Sequence, residues 1–152
     1  MSNAPRIEPA DDLYEKDGYA WSKREAELLR QRRFAEVDLA NVIEEIESVG
    51  KSERRALKSS YRVLIQHLLK WQFQPERRSR SWADTIRTQR TEVESDEEDN
   101  PSLKAESDAI VVSAYHLARK QAADETCLPL ATFPDTCPYT ANQLRDRDYL
   151  PE

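Results

Sequence analysis

Glycine is almost absent from this chain, and that scarcity narrows the fold classes open to it. Only Gly18 and Gly50 occur among 152 residues. Sandwiches and barrels of β-strands need tight turns with positive φ angles, which glycine adopts most readily. The eight prolines stand near the ends or between the segments of regular apolar spacing. The sequence therefore predicts an all-α fold: a helical bundle of four main helices, with a short N-terminal helix and an irregular proline-rich C-terminal strap.

The length and composition are those of one ordinary domain. With 38% hydrophobic and 34% charged residues, the chain is able to bury a core beneath charged helix faces. We expect a single helical domain over residues 13–152 and a mobile tail over residues 1–12. No run approaches the roughly 20 apolar residues of a membrane span, and the first residues lack the apolar core of a signal peptide. Together with reduced thiols at Cys127 and Cys137, these features favour a cytoplasmic protein without membrane association.

Capping residues and apolar spacing predict the first helices. Ser22 opens a capping box and a short helix that reaches about residue 33. Asp38 caps a second helix, Gly50 ends it as a left-handed stop, and Ser52 starts the third helix at once. So short a link makes helices two and three antiparallel neighbours. The second helix carries one apolar stripe, formed by Leu39, Val42, Ile43, Ile46 and Val49.

The later segments predict three more elements. The third helix covers about 52–74, and a fourth covers about 79–95 before an acidic turn at 96–100. Asn100 and Pro101 start a fifth helix that reaches about residue 125. Its expected core residues are Leu103, Ile110, Val111, Ala114, Leu117 and Ala118. The strap that follows is expected to be anchored by Leu130, Phe133, Tyr139, Leu144 and Tyr149.

Charge is distributed in blocks along the chain. The window 51–90 holds eleven lysines or arginines and three acidic residues, a local balance of +8 in a chain of net charge −6. One interpretation is a basic face that binds nucleic acid or another polyanion. The other is internal complementarity, with the basic helices lying against the acidic segments 44–47 and 92–99. We favour internal complementarity, because a phosphate backbone repels a protein of net negative charge unless its basic patch is segregated.

Several familiar chemistries are excluded by missing motifs. Two isolated glycines cannot form a phosphate-binding loop, a dinucleotide fingerprint or a nucleophile elbow. The Glu-x-x-His signature of di-iron bundles and zinc-spaced cysteine pairs are absent as well. We therefore expect no cofactor and no metal, and no catalytic residue is assigned.

A polar row lies on the shoulder of the third helix. His67, Lys70 and Gln74 share this shoulder, about a quarter turn from the apolar centre. Such a row binds a ligand or holds a second helix, and a histidine at such a boundary is more often structural than catalytic. Glu47 on the second helix is the nearest carboxylate in sequence that suggests a metal site. The antiparallel arrangement would place it about five residues short of the level of His67.

The link after the third helix concentrates arginines. Arg77, Arg78 and Arg80 surround it, and a helix start beside guanidinium groups suits an anion. Trp71 and Trp82 could stack on nucleic-acid bases. Their positions at core phase favour packing within the bundle instead.

Several motifs together resemble a known family. They are Tyr-Glu-Lys-Asp-x-Tyr-Ala-Trp at 14–21, Glu-Glu-Ile-Glu-x-x-Gly at 44–50, Ser-Glu-Arg-Arg-Ala-Leu at 52–57, the segment 67–82, Asn-Pro-Ser-Leu at 100–103 and Phe-Pro-x-x-Cys-Pro-Tyr-Thr at 133–140. Over about 14–151 the chain resembles the bacterial helical family called domain of unknown function, family 29. The resemblance implies a small, soluble, largely helical bacterial protein. It implies no activity and no site residues.

The sequence leads to three hypotheses of function. The first is a non-catalytic interaction module of the bacterial cytoplasm, with a protein partner or as a homodimer. The second is binding of nucleic acid or another anion through the basic 70–90 region. The third is an enzyme that uses His67 as an acid–base residue or ligand. The candidate binding residues are His67, Lys70, Gln74, Arg77, Arg78 and Arg80.

Overall fold

The fold is all-α, as predicted. A computed structural model describes residues 10–152, with side chains from residue 13 onward, and it contains no strand in this part of the chain. Of the tail predicted over 1–12, residues 1–9 lie outside the described residues. The helices are α1 (Ala10–Lys16), α2 (Gly18–Arg30), α3 (Leu39–Phe73), α4 (Arg80–Asp99), α5 (Pro101–Ala105), α6 (Ser107–Thr126) and α7 (Ala141–Arg145).

The chain divides into two compact units, one ending at Lys51 and one covering Ser52–Glu152. The single domain predicted over residues 13–152 stays a prediction. None of the described helices has both the length and the apolar character that a membrane crossing requires. Both cysteines are free, and burial raises the pKa of the Cys137 thiol.

The first long helix begins earlier than the sequence predicts. Asp17 is its N-cap, and its carboxylate accepts a hydrogen bond from the backbone amide of Ala20 at 2.9 Å. The predicted cap Ser22 lies inside the helix and donates to the carbonyl of Tyr19. The capping box predicted at Ser22 is therefore wrong. The helix ends near Arg32, which adopts the left-handed conformation with φ of 58°.

The predicted stop at Gly50 is also wrong. Helix α3, which is 35 residues long, continues through this residue, and no described glycine has a positive φ. A helical glycine costs about 1 kcal/mol relative to alanine, which is too little to end a helix when good helix formers follow. The residues of high helix propensity after Gly50 are Lys51, Glu53, Arg54, Arg55, Ala56 and Leu57. Helices two and three of the prediction are thus one element and not antiparallel neighbours.

The ends of the later helices agree in part with the prediction. Helix α3 ends before Pro75, and Ser79 caps α4 by accepting from the amide of Trp82 at 3.2 Å. The acidic stretch predicted as a turn instead forms the last turn of α4, which reaches Asp99. The predicted fifth helix is interrupted at Glu106, so that α5 and α6 are separate.

The core lies in the unit that covers Ser52–Glu152. It is built by the second half of α3, by α4 and α6, and by the strap. Of the five anchors predicted for the strap, Phe133, Tyr139 and Leu144 are buried, whereas Leu130 is exposed. Leu117, predicted as a core residue, is exposed on α6. The main buried apolar side chains are Leu57, Tyr61, Leu64, Ile65, Leu68, Leu69, Ile86, Val93, Ile110 and Tyr115.

Candidate interaction sites

The polar row on α3 holds a second helix. Lys70 is buried, and its Nζ lies 2.6 Å from Glu125 Oε2 on α6. The same ammonium lies 4.5 Å from the centre of the Trp82 ring. Gln74 donates to the carbonyl of Thr126 at 3.4 Å. The groups that could have bound a ligand therefore already link α3 to α6 and α4.

His67 takes part in the same seam without forming a metal site. It is half-buried, and its Nδ1 donates to the carbonyl of Val63 at 2.9 Å. Burial lowers the pKa of His67, and the nearby Lys70 charge acts in the same direction. Glu47 precedes His67 on the same helix and does not face it from a neighbouring helix, contrary to the sequence prediction. No cluster of metal-ligating residues occurs among the described side chains.

The arginines around Pro75 have exposed side chains, and they do not pair with the acidic segment 92–99 as predicted. Arg78 donates from Nε to the carbonyl of Trp71 at 2.8 Å, and its guanidinium lies over the same indole ring. Arg80 is 95% exposed, with only Asp84 nearby at 3.8 Å. The guanidinium of Arg77 makes no hydrogen bond or ion pair within the described residues 10–152. Internal neutralisation of this block by segment 92–99 is therefore wrong at these three positions, and neutralisation by segment 44–47 stays a prediction.

The carboxylates of segment 92–99 pair with the strap instead. Arg147 bonds to Glu94, and Arg145 binds Glu97 with two nitrogens, at 2.9 and 3.1 Å. Glu97 is only 4% exposed and also accepts from the hydroxyl of Tyr61. Arg145 also donates to the hydroxyl of Ser107 on α6, so residues of four different elements form this cluster. The sequence alone did not reveal it for that reason. One signal was present in the sequence: Tyr61 lies on the apolar face of its helix, and a buried tyrosine hydroxyl needs a hydrogen-bond partner.

The apolar stripe at the start of α3 is exposed, whereas an amphipathic helix normally buries such a stripe. Four of its five members have large exposed fractions, and the fifth, Val42, is half-buried. We call these four residues the α3 stripe. They are Leu39 at 61%, Ile43 at 48%, Ile46 at 66% and Val49 at 63%.

Carboxylates flank the α3 stripe on both sides. At about 100° per residue, Glu45 and Glu47 lie to either side of Ile46, and Glu44 lies on the opposite face. Glu45 accepts a hydrogen bond from the Tyr14 hydroxyl at 2.6 Å. Lys51 Nζ lies 3.9 Å from Glu47. The stripe is therefore an apolar row with acidic borders.

The unit that carries the α3 stripe has a small core. Among its described residues only Trp21 and Leu28 are buried apolar side chains. The indole of Trp21 donates to Asp38 at 3.1 Å, and the amide of Asp38 donates to Glu25 Oε2 at 2.8 Å. These bonds tie α2 to the start of α3. They do not cover the stripe, which leaves its apolar area available to another molecule.

Comparison with known proteins identifies a family but no characterised relative. No curated protein and no solved structure gives a significant match. The family model described as domain of unknown function DUF29 matches residues 13–150. The chain therefore belongs to the DUF29 family.

Proposed function

We propose that the chain is a protein-interaction module that binds its partner through the α3 stripe. The observation that carries the proposal is the exposure of four large apolar side chains on one helix face. Contiguous apolar patches of this kind mark interaction sites in soluble proteins. The spacing i, i+4, i+7 and i+10 is the pattern by which helices engage hydrophobic grooves or other helices.

The setting and the type of activity belong to the same proposal. We place the module in the bacterial cytoplasm, because the sequence resembles a bacterial family and both cysteines are free thiols. A non-catalytic role is supported by the polar row of α3, since Lys70 and Gln74 are engaged in contacts with α6.

Paired variants of exposed residues test the module. Ile43→Asp combined with Ile46→Asp should abolish partner binding in quantitative affinity capture, followed by titration of the purified partner. The fold should persist in circular dichroism, since both side chains are exposed. The matched control is Val112→Asp, which changes an apolar residue that is 62% exposed on α6. A partner that binds the double variant and the wild type equally would contradict the proposal.

Anion binding at the arginines around Pro75 is a second candidate. It is supported by the exposure of Arg77, Arg78 and Arg80 and by their lack of bonds to segment 92–99. Lys70 is left out of this site because Glu125 already pairs with it. The site would take a phosphate chain or a single-stranded nucleic acid, with Trp71 beside it.

Titration with single-stranded DNA or polyphosphate at low salt tests this second candidate. Arg77→Ala should reduce the affinity and the slope of its salt dependence by about one phosphate contact. Arg77 is the sharper choice, because Arg78 also bonds to the α3 backbone. Arg55→Ala, which removes an exposed charge elsewhere, is the control. Absence of binding at low salt would dismiss the candidate.

A further inference from the structure

We infer that the occupant of the α3 stripe is a basic amphipathic helix of another protein. The inference rests on the proposed function and specifies the partner of the same surface. It is drawn from the charges that border the stripe. A partner helix would lay its own apolar face on Ile43 and Ile46 and place lysines or arginines opposite Glu45 and Glu47.

The charge of the stripe has a single sign. Between Leu39 and Gly50, helix α3 carries the carboxylates Glu44, Glu45 and Glu47 and no lysine or arginine. Glu45 and Glu47 occupy the positions that flank an apolar seam, where charges decide which helix pairs with which. Opposite charges on the partner are therefore favoured, and like charges are disfavoured.

Existing contacts leave these carboxylates available. Glu45 accepts from Tyr14, which is a neutral hydroxyl and does not cancel its charge. Lys51 lies 3.9 Å from Glu47, with side chains that are 71% and 63% exposed. An ion pair so exposed contributes little and exchanges readily for a pair with a partner.

The same charges argue against a second copy of this chain. Two copies that pair their stripes about a two-fold axis bring the same segment of each together. The carboxylates of one stripe would then lie opposite the carboxylates of the other, since residues 39–50 contain no cation. A basic partner satisfies both the apolar row and its acidic borders.

Two designed peptides test the inference on the full chain. Both are helices about three heptads long with the same apolar residues, one bordered by lysines and the other by glutamates. The lysine peptide should bind at least about tenfold more tightly at low salt, and added salt should reduce the difference. Glu45→Gln with Glu47→Gln should weaken the lysine peptide about three- to tenfold. The control, Glu76→Gln with Glu92→Gln, should leave binding unchanged.

Each alternative outcome has a distinct meaning. Equal binding of both peptides, sensitive to Ile43→Asp with Ile46→Asp, overturns the charge inference and leaves the docking surface in place. A dimer in sedimentation that Ile46→Asp dissociates shows that the second copy is the occupant, which also overturns the inference. Failure of both peptides to bind overturns it as well. The proposed function itself is contradicted when partner capture is unaffected by the stripe variants.

Discussion

At the residue scale, the pair between Arg145 and Glu97 is a polar contact that holds a buried carboxylate. The carboxylate is buried, and it depends on the guanidinium and on the hydroxyl of Tyr61 for its hydrogen bonds. Arg145 also donates to the hydroxyl of Ser107. Because a buried charge without its partner is strongly unfavourable, the pair matters more for stability than exposed ion pairs do.

Arg145→Ala should therefore lower the free energy of unfolding by about 2 to 4 kcal/mol. Arg87→Ala is the matched control, since its bond to Asp84 has a similar length but joins two exposed side chains. That variant should change stability by less than about 1 kcal/mol. Urea denaturation of both measures the difference. Equal effects of the two substitutions would show that Glu97 is not buried as described.

His67 should make folding depend on pH. Because burial lowers its pKa in the folded state, the unfolded chain takes up the proton first as the pH falls. The contribution of neutral His67 to the free energy of unfolding is complete above about pH 6.5, the pKa of histidine in the unfolded chain. It decreases as the pH falls below that value. Between about pH 7 and pH 5 the wild type should lose more stability than His67→Gln. Parallel losses in the two proteins would contradict a lowered pKa.

At the scale of elements, the sequence predicted the type of secondary structure better than the residues at which each helix begins and ends. The end of α3 before Pro75 follows from local chemistry, because a proline ring cannot continue a helix, and it was found. Gly50 was misjudged, because glycine permits a left-handed stop without requiring one. The length of α4 was misjudged since acidic residues at a helix C-terminus are unfavourable by themselves. Arg145 and Arg147, distant in sequence, offset that effect.

Gly50→Ala tests the continuity of α3. The glycine has helical geometry, and an added Cβ would meet no atom within 4 Å. Alanine should therefore raise the free energy of unfolding by about 0.5 to 1 kcal/mol. A left-handed stop would produce the opposite sign, because alanine is strained there. If Gly50→Ala lowers the free energy of unfolding in urea denaturation, the result would favour two separate helices over one continuous α3.

At the scale of the whole molecule, the buried apolar residues are unevenly divided. The unit from Ser52 onward contains nearly all of them, whereas the described part of the first unit contains Trp21 and Leu28. Apolar periodicity predicted the stripe on α3 but not its exposure. Periodicity reports which residues share a face, and only the tertiary structure decides whether that face is covered. The candidate interaction surface was therefore beyond the reach of the sequence alone.

Local stability should follow this division. Native-state hydrogen exchange should show lower opening free energies for amides of α2 than for those of α6, because fewer buried contacts protect α2. Partner binding at the α3 stripe should raise protection in residues 39–50. Uniform protection of α2 and α6 in the isolated chain would contradict the uneven core.

Site-specific photo-crosslinking in cells tests the central claim, that the α3 stripe binds another protein. A photoreactive residue in place of Ile46 should give a discrete crosslinked species, and adding Ile43→Asp should remove it. The same residue in place of Val112, exposed on α6, should give none. Crosslinks of equal yield at both positions, or none at Ile46, would contradict the account.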